Sequence, residues 1–422
     1  MSLRPIVFSL IFSVHALPAD GLSRGPYLQM PSPDAITVCW QTGEATDGIV
    51  RYGMKPGELS ETARAAESGR EHEVRLTGLD PSTTYYYSVG SSEKVMAGGS
   101  ADFQFKTAPK PGSAPPVRVW VLGDSGTGGD GTGRAEKVRD SYLNSPHFKI
   151  PDLWLMLGDN AYPNNTEKEI TQAVFHTYPK MLGSSPLWST YGNHDTATDR
   201  GAPYFNAFRF PTKGECGGEP SGTERHYSFD YANIHFVCLD SEGDRRAESP
   251  MFNWLEADLA ASESTWLIAF WHLPPYSKGS HDSDTERALG EMRSNALPIL
   301  EKHGADLVLS GHSHSYERSM LINGHYGSSS EFDVATMAVN HFNGRPESEG
   351  AYRKKPGAEK GTVYVVGGNS GKISGGKLNH PVMKVSENRL GSLILDIEGG
   401  RLQVRALGAD GEVFDSFTIT KE

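Results

Sequence analysis

VWVLGDSG (119–126) and LWLMLGDNAY (153–162) set the pattern of this chain: an apolar, strand-like run that stops on a residue able to bind a hard or borderline metal ion. Four more runs repeat it. LWSTYGNHD (187–195) ends with Asn193 and His194, WLIAFWHLP (266–274) delivers His272, and ADLVLSGHSH (305–314) delivers His312 and His314. IHFVCLDSE (234–242) ends in Asp240 and Ser241 and completes the pattern without an obvious ligand.

An open sheet of mainly parallel strands gathers side chains that are far apart in sequence at the carboxyl ends of its strands. The candidate ligands are therefore expected to meet: Asp124, Asp159, Tyr162, Asn193, His272, His312 and His314. Two carboxylates, one phenolate, one amide oxygen and three imidazoles are too many for one tetrahedral or octahedral ion that must also keep a position open for substrate. Shared through one bridging carboxylate, they suit two ions. Such pairs, about 3.5–4 Å apart, recur in phosphatases and nucleases.

With 422 residues and 37% hydrophobic content, the chain has core enough for two or three domains. Its formal net charge of −12 argues against a nucleic-acid binder, which would normally show a basic face. It does not argue against phosphate esters, because two bound cations would dominate the field in the site. Residues 1–19 place Arg4 before an apolar stretch, with small residues Ala16 and Ala19, and are read as a signal peptide of an exported, secreted or periplasmic, protein. No later segment has the roughly 18 uninterrupted apolar residues of a membrane-spanning helix. Three cysteines, Cys39, Cys216 and Cys238, form no CxxC pair, allow at most one disulfide and do not point to redox chemistry.

Residues 20–107 read as a small all-β sandwich, 108–116 as a Pro-rich linker and 117–422 as a domain of alternating strands and helices. The first is expected to be structural and to cover the mouth of the site. Helices are expected at 133–145, 167–182, 250–262 and 286–304, with Gly304 at a C-cap. The terminal segment 391–422 is expected to form an edge hairpin.

GDSG, GDNAY, GNHD, WHLP and GHSH, in this order on strand ends, resemble the calcineurin-like metallophosphoesterases, and Tyr162, three residues after Asp159, makes the match one to purple acid phosphatases. LTGLDPSTTYYYSV (76–89), with Trp40 on an earlier strand, resembles the fibronectin type III pattern, in which a tyrosine near a strand start ties down the sandwich corner. The resemblance implies a fibronectin type III-like sandwich followed by an αββα catalytic domain, two sheets sandwiched by helices. It implies that Asp124, Tyr162 and His314 hold Fe(III), that Asp159 bridges, and that Asn193, His272 and His312 hold a divalent Zn, Mn or Fe. By the same resemblance His194 and His281 orient the phosphate, one of them protonates the leaving alkoxide, and a metal-bound hydroxide hydrolyses small phosphate monoesters. Asp195 is a candidate to hold His194 in place, a position where the family more often has Glu.

Two other readings stay open: a phosphodiesterase or nucleotidase with two divalent metals on the same scaffold, and an exported binding protein with a non-catalytic metallophosphoesterase domain. His235 is expected to be structural, and His226, His325 and His341 to lie on solvated loops. Gly126–Gly131 fits GxGxxG, a weak signal on its own beside an Asp124 already claimed by the metal site, and GGNSGKIS (367–374) is similar to a P-loop but lacks Ser or Thr after its lysine and is read as a strand-to-turn connection. The sequence leaves open the physiological substrate, the divalent metal and the oligomeric state.

Overall fold

The computed structural model describes residues 21–348, 350–354 and 360–421; the expected signal peptide lies outside them. Strands Leu22–Gln29, Ala35–Thr46 and Gly69–Thr77 form one sheet of the N-terminal unit, and Ile49–Gly53, Glu61–Arg64, Thr84–Gly90, Val95–Gly98 and Gln104–Lys106 form the other. Side chains alternate across a strand, so Ile36, Val38 and Trp40 meet Tyr85, Tyr87 and Val89 in a common core. Cys39, pointing the opposite way, packs with Tyr27 and Met30 in the larger core of the second unit. That strand is buried on both faces. The Tyr85 hydroxyl accepts the Asp80 amide at 3.0 Å, tying the strand start to the preceding turn. No strand occurs between Lys106 and Val117, where the Pro-rich segment runs.

The second unit contains two seven-stranded sheets. In the first, Val117–Leu122, Leu153–Leu157 and Leu187–Thr190 run parallel to one another. In the second, Ile234–Cys238, Trp266–Trp271, Leu307–Ser310 and Val363–Gly367 do the same. The six runs read from the sequence are thus divided three and three between two sheets instead of sharing one. The sheets meet face to face, and Trp188 of the first stacks on Phe229 of the second with ring centroids 3.7 Å apart. Phe236, Ile268, Phe270 and Leu309 face this shared core. Their neighbours Val237, Leu267, Ala269 and Val308 point outward, under helices Pro250–Ala261 and Arg287–Lys302. Helix Arg134–Asn144 covers the first sheet, with Tyr142 stacked on Trp120 at 4.8 Å. This is the helix–sheet–sheet–helix layering expected.

Two elements depart from the sequence reading. The segment expected as one helix at 167–182 is broken into Glu167–Ile170, a wider π turn at Thr171–His176, and Pro179–Leu182. The terminal hairpin is not at an edge: Gly391–Glu398 pairs antiparallel with Val117–Leu122 inside the first sheet, and Arg401–Gly408 and Val413–Lys421 continue outward from it. Its alternating pattern reported strand identity but carried no information about its partner. The N-terminal sandwich docks on the broken helical segment and its surroundings. Tyr87 donates to Gly183 O at 3.0 Å, Tyr27 to Ala207 O at 2.6 Å, and buried Arg24 pairs with Glu167. These contacts brace the domain that carries the site, and they reach residues 167–209 instead of the nine candidate site side chains.

Candidate metal centre

Each parallel strand hands its last residues to a tight turn, and three of the donor residues sit there with left-handed backbones: Asp124 at φ 54°, Asp159 at φ 53° and His312 at φ 65°. Such conformations cost on the order of 1 kcal/mol or more each and persist where surrounding structure over-determines them. The glycines that precede the donors show why the turns are tight. A Cβ at Gly158 would come within 2.5 Å of His272 Nδ1, and one at Gly311 within 2.6 Å of Asp124 Oδ2. Each sheet therefore leaves a gap that a donor from the other sheet fills.

All seven candidate ligands converge, in two groups. Tyr162 Oη lies 3.2 Å from Asp124 Oδ1 and 3.4 Å from His314 Nε2. Asn193 Oδ1 lies 3.1 Å from His272 Nε2 and 3.0 Å from His312 Nδ1, and those two imidazole nitrogens are 3.2 Å apart. Asp159 reaches both groups: one oxygen is 3.4 Å from His272 Nε2, and its carboxylate falls within 4.8 Å of the donor atoms of Asp124 and His314.

The donor chemistry fits a cation. His272 Nδ1 donates to Leu157 O at 2.8 Å, which leaves a lone pair on Nε2. That lone pair faces a carbonyl oxygen of Asn193 and the ring nitrogen of His312, an arrangement of acceptors that a positive ion between them would satisfy. The local field agrees. Burial opposes charge on His272, but the carboxylates of Asp159 and Asp124 outweigh it and push its pKa up to about 9, so near neutral pH a proton occupies the Nε2 lone pair until a cation displaces it. Burial likewise opposes charge on Asp124, and His314, His272 and His312 outweigh it and hold its carboxyl below the usual range. Burial first, and then Asp124 and Asp159, push the Tyr162 phenol well up; only a strong local positive charge would release its proton here.

His194 and His281 lie at the margin of this pocket. His194 Nδ1 contacts Pro163 O at 2.6 Å, and its Nε2 is 3.9 Å from Asp159. His281 stacks on His312, ring centroids 3.7 Å apart, with Nδ1 3.0 Å from the Glu286 carboxylate. Asp195 does not hold His194. It is fully buried and accepts from Gly192 N, Asn160 N and Asn160 Nδ2 at 2.8–2.9 Å, so it shapes the turn that aims Asn193. A carboxylate directly after a histidine in such a turn points to the turn's own amides.

Sequence reasoning missed three neighbours. Glu286 links His281 to His312, with an oxygen 3.8 Å from His312 Nε2. Ser374 Oγ lies 2.7 Å from His314 Nδ1, fixing the ring that faces Tyr162. Lys372 holds its ammonium 3.5 Å from the centroid of the Tyr162 ring. The last two lie on the GGNSGKIS stretch, a strand-to-turn connection that also forms a wall of the pocket. Elsewhere His235 is structural, clamped between Asp230 and Asp258 at 2.7 and 2.9 Å. His341 is exposed, while His325 is buried against Tyr276 instead of solvated, and His226 packs on Trp254. The three cysteines are free and buried.

Comparison with known proteins defines the class. Residues 117–316 match the calcineurin-like phosphoesterase family, and residues 24–107 match the purple acid phosphatase N-terminal domain. The chain belongs to the purple acid phosphatases, within those phosphoesterases. It is 30% identical over 347 residues to purple acid phosphatase 15 of Arabidopsis thaliana, covering 68% of this chain and 62% of that protein. It therefore spans less than two thirds of that relative. A match at 24% identity over 446 residues, 92% of this chain and 67% of the other, is to the Arabidopsis protein named probable inactive purple acid phosphatase 1. The purple acid phosphatase PPD1 from yellow lupin (Lupinus luteus) seeds shares the fold, with a TM-score of 0.74 at 21% identity over 96% of this chain and 75% of that one.

Proposed function

We propose that this protein is an exported acid phosphatase that hydrolyses small phosphate monoesters at an Fe(III)–M(II) pair, with M being Zn, Mn or Fe. The grouping of donors carries the reading. Asp124, Tyr162 and His314 form a hard, oxygen-rich set suited to a trivalent ion, Asn193, His272 and His312 a set suited to a divalent one, and Asp159 stands between. When bound, such a pair would supply an activated water and neutralise charge on the phosphoryl oxygens.

The chain's own residues do the remainder. Glu286 holds the Nδ1 hydrogen of His281 and so leaves Nε2 to face the substrate. His194, anchored through Nδ1 on Pro163 O, presents Nε2 from the other side. In the proposed step water attacks phosphorus, the ester P–O bond breaks, and the leaving alkoxide takes its proton from His281 Nε2, while His194 donates a hydrogen bond to the phosphoryl group. The test combines elemental analysis, a visible spectrum and turnover of para-nitrophenyl phosphate. Iron with a second metal, a ferric–tyrosinate colour and turnover support the reading. A colourless enzyme active with two divalent ions would replace it with a phosphodiesterase or nucleotidase, and a metal-free, inert protein with a binding role.

A further inference from the structure

The loop from Gly368 to Leu378 is fixed on three sides of the pocket. Ser370 N donates to Gly123 O at 3.0 Å beside Asp124, Ser374 N to His314 O at 3.2 Å, and Leu378 N to Lys278 O at 2.7 Å in the loop that carries His281. A Cβ at Gly371 would lie 2.5 Å from Asp124 O, so the backbone is pressed against the strand end that bears that carboxylate. A loop held this way cannot swing its side chains far from the site. Lys372 projects from it over the Tyr162 ring, half-buried, with Nζ 3.5 Å from the centroid. Among the described residues it has no carboxylate partner. Around the pocket the described side chains are otherwise the carboxylates of Asp124, Asp159 and Glu286, the Tyr162 phenol, the Asn193 amide and imidazoles, and Lys372 brings an ammonium to its rim.

A cation stacked on an aromatic face at a half-exposed position is only modestly stabilised. An anion that offers a charge-assisted hydrogen bond competes with that easily. The four-carbon stem allows the ammonium to turn from the ring face towards an oxygen above the donor cluster. A phosphate monoester differs from a diester by a third non-bridging oxygen and, above its second pKa of about 6, a second negative charge. Resting on the phosphatase reading above, we propose that Lys372 is a specificity-determining residue that binds this additional oxygen and so favours monoesters over diesters.

The experiment uses the metal-loaded full chain at about pH 7, where the monoester is mainly a dianion. Lys372→Gln, Lys372→Met and Lys372→Arg are compared with the parent protein on para-nitrophenyl phosphate, on bis(para-nitrophenyl) phosphate and in inhibition by inorganic phosphate. Loss of one charge-assisted contact predicts a roughly ten-fold rise in KM for the monoester and in the phosphate inhibition constant, with kcat changed less. The diester KM should move less than two-fold, and Lys372→Arg should restore most of the monoester affinity. Equal losses on both esters, or an unchanged phosphate constant in Lys372→Met with intact metal content, would overturn the inference and reduce Lys372 to packing on Tyr162. If the parent protein neither holds two metals nor hydrolyses the monoester, the phosphatase reading itself fails, an outcome these variants do not mimic.

Discussion

The two sheets make unlike contributions to one pocket. Strands Val117–Leu122, Leu153–Leu157 and Leu187–Thr190 lead to the oxygen donors Asp124, Asp159, Tyr162 and Asn193, whereas Trp266–Trp271 and Leu307–Ser310 lead to the nitrogen donors His272, His312 and His314. Neither half suffices. The oxygen half concentrates negative charge in a buried place, and the imidazole half offsets it until a cation arrives. Mutual gaps at Gly158 and Gly311 make the docking of the sheets and the assembly of the site one event. The pocket is a property of the interface between sheets, not of either sheet.

The strongest test removes the carboxylate that reaches both groups. Asp159→Asn should lose one metal and lower turnover by about a thousand-fold or more, read by elemental analysis and the para-nitrophenyl phosphate assay. Retained metal stoichiometry with full turnover would break the two-group picture. His281→Ala should lower kcat by about a hundred-fold at unchanged metal content, and Glu286→Gln by less, because the glutamate acts through the imidazoles of His281 and His312 and not on the substrate itself. Tyr162→Phe should abolish the visible band while the histidine group keeps its divalent metal; a band that survives would take the tyrosine out of the oxygen half.

A further imidazole on the second sheet sharpens the comparison. His235 is buried like His272, but Asp230 and Asp258 close around it and leave no room for an ion. Burial lowers its pKa, yet the hydrogen bonds to the two carboxylates prevail and push it up to about 9. Because that lies above the ~6.5 of a free imidazole, its stabilisation is complete below the free value and is lost as pH rises through about 9. The contribution is about 3 kcal/mol at most. Thermal unfolding followed from pH 6 to 10 should show this loss, and His235→Gln should flatten it without altering metal content. Smaller still, Tyr87→Phe removes the hydrogen bond to Gly183 O across the domain boundary and should cost about 1 kcal/mol of stability with kcat unchanged. A fall in kcat there would give the sandwich a role in the site that its contacts do not suggest.

Donor identity was legible along the chain because it is local: a strand-like apolar run, in every case but His272 a glycine, then a residue with a lone pair. The helices at 134–144, 250–261 and 287–302 were legible for the same reason, since apolar spacing and caps lie within one element. The break in the 167–182 helix was legible only in part: Pro179 opens its last piece, a signal the expected helix passed over, whereas the π turn lies under Arg24 and Tyr27 of the sandwich, which no local pattern announces. Asp195 was misread because adjacency in sequence says nothing about which amides a turn presents. Glu286, Lys372 and Ser374 carried no signature; a lone carboxylate, cation or hydroxyl on a polar loop is ordinary until a fold brings it against an imidazole or a phenol ring.

By itself the sequence determined the chemistry available: seven donor atoms, two spare histidines, and strands whose alternation and buried runs force those residues onto turn ends. Only the tertiary structure decided which donors lie side by side: Tyr162 meets Asp124 and His314, Asn193 meets His272 and His312, and the amide of His312 meets the carboxylate of Asp124 across 188 residues of chain. It also decided that two sheets, not one, supply the pocket, and that a glycine-rich connection walls it with a lysine. Local periodicity sets which way a side chain points along its own strand. The partner it then finds depends on how sheets pack, and that is fixed by the apolar faces of all the strands together.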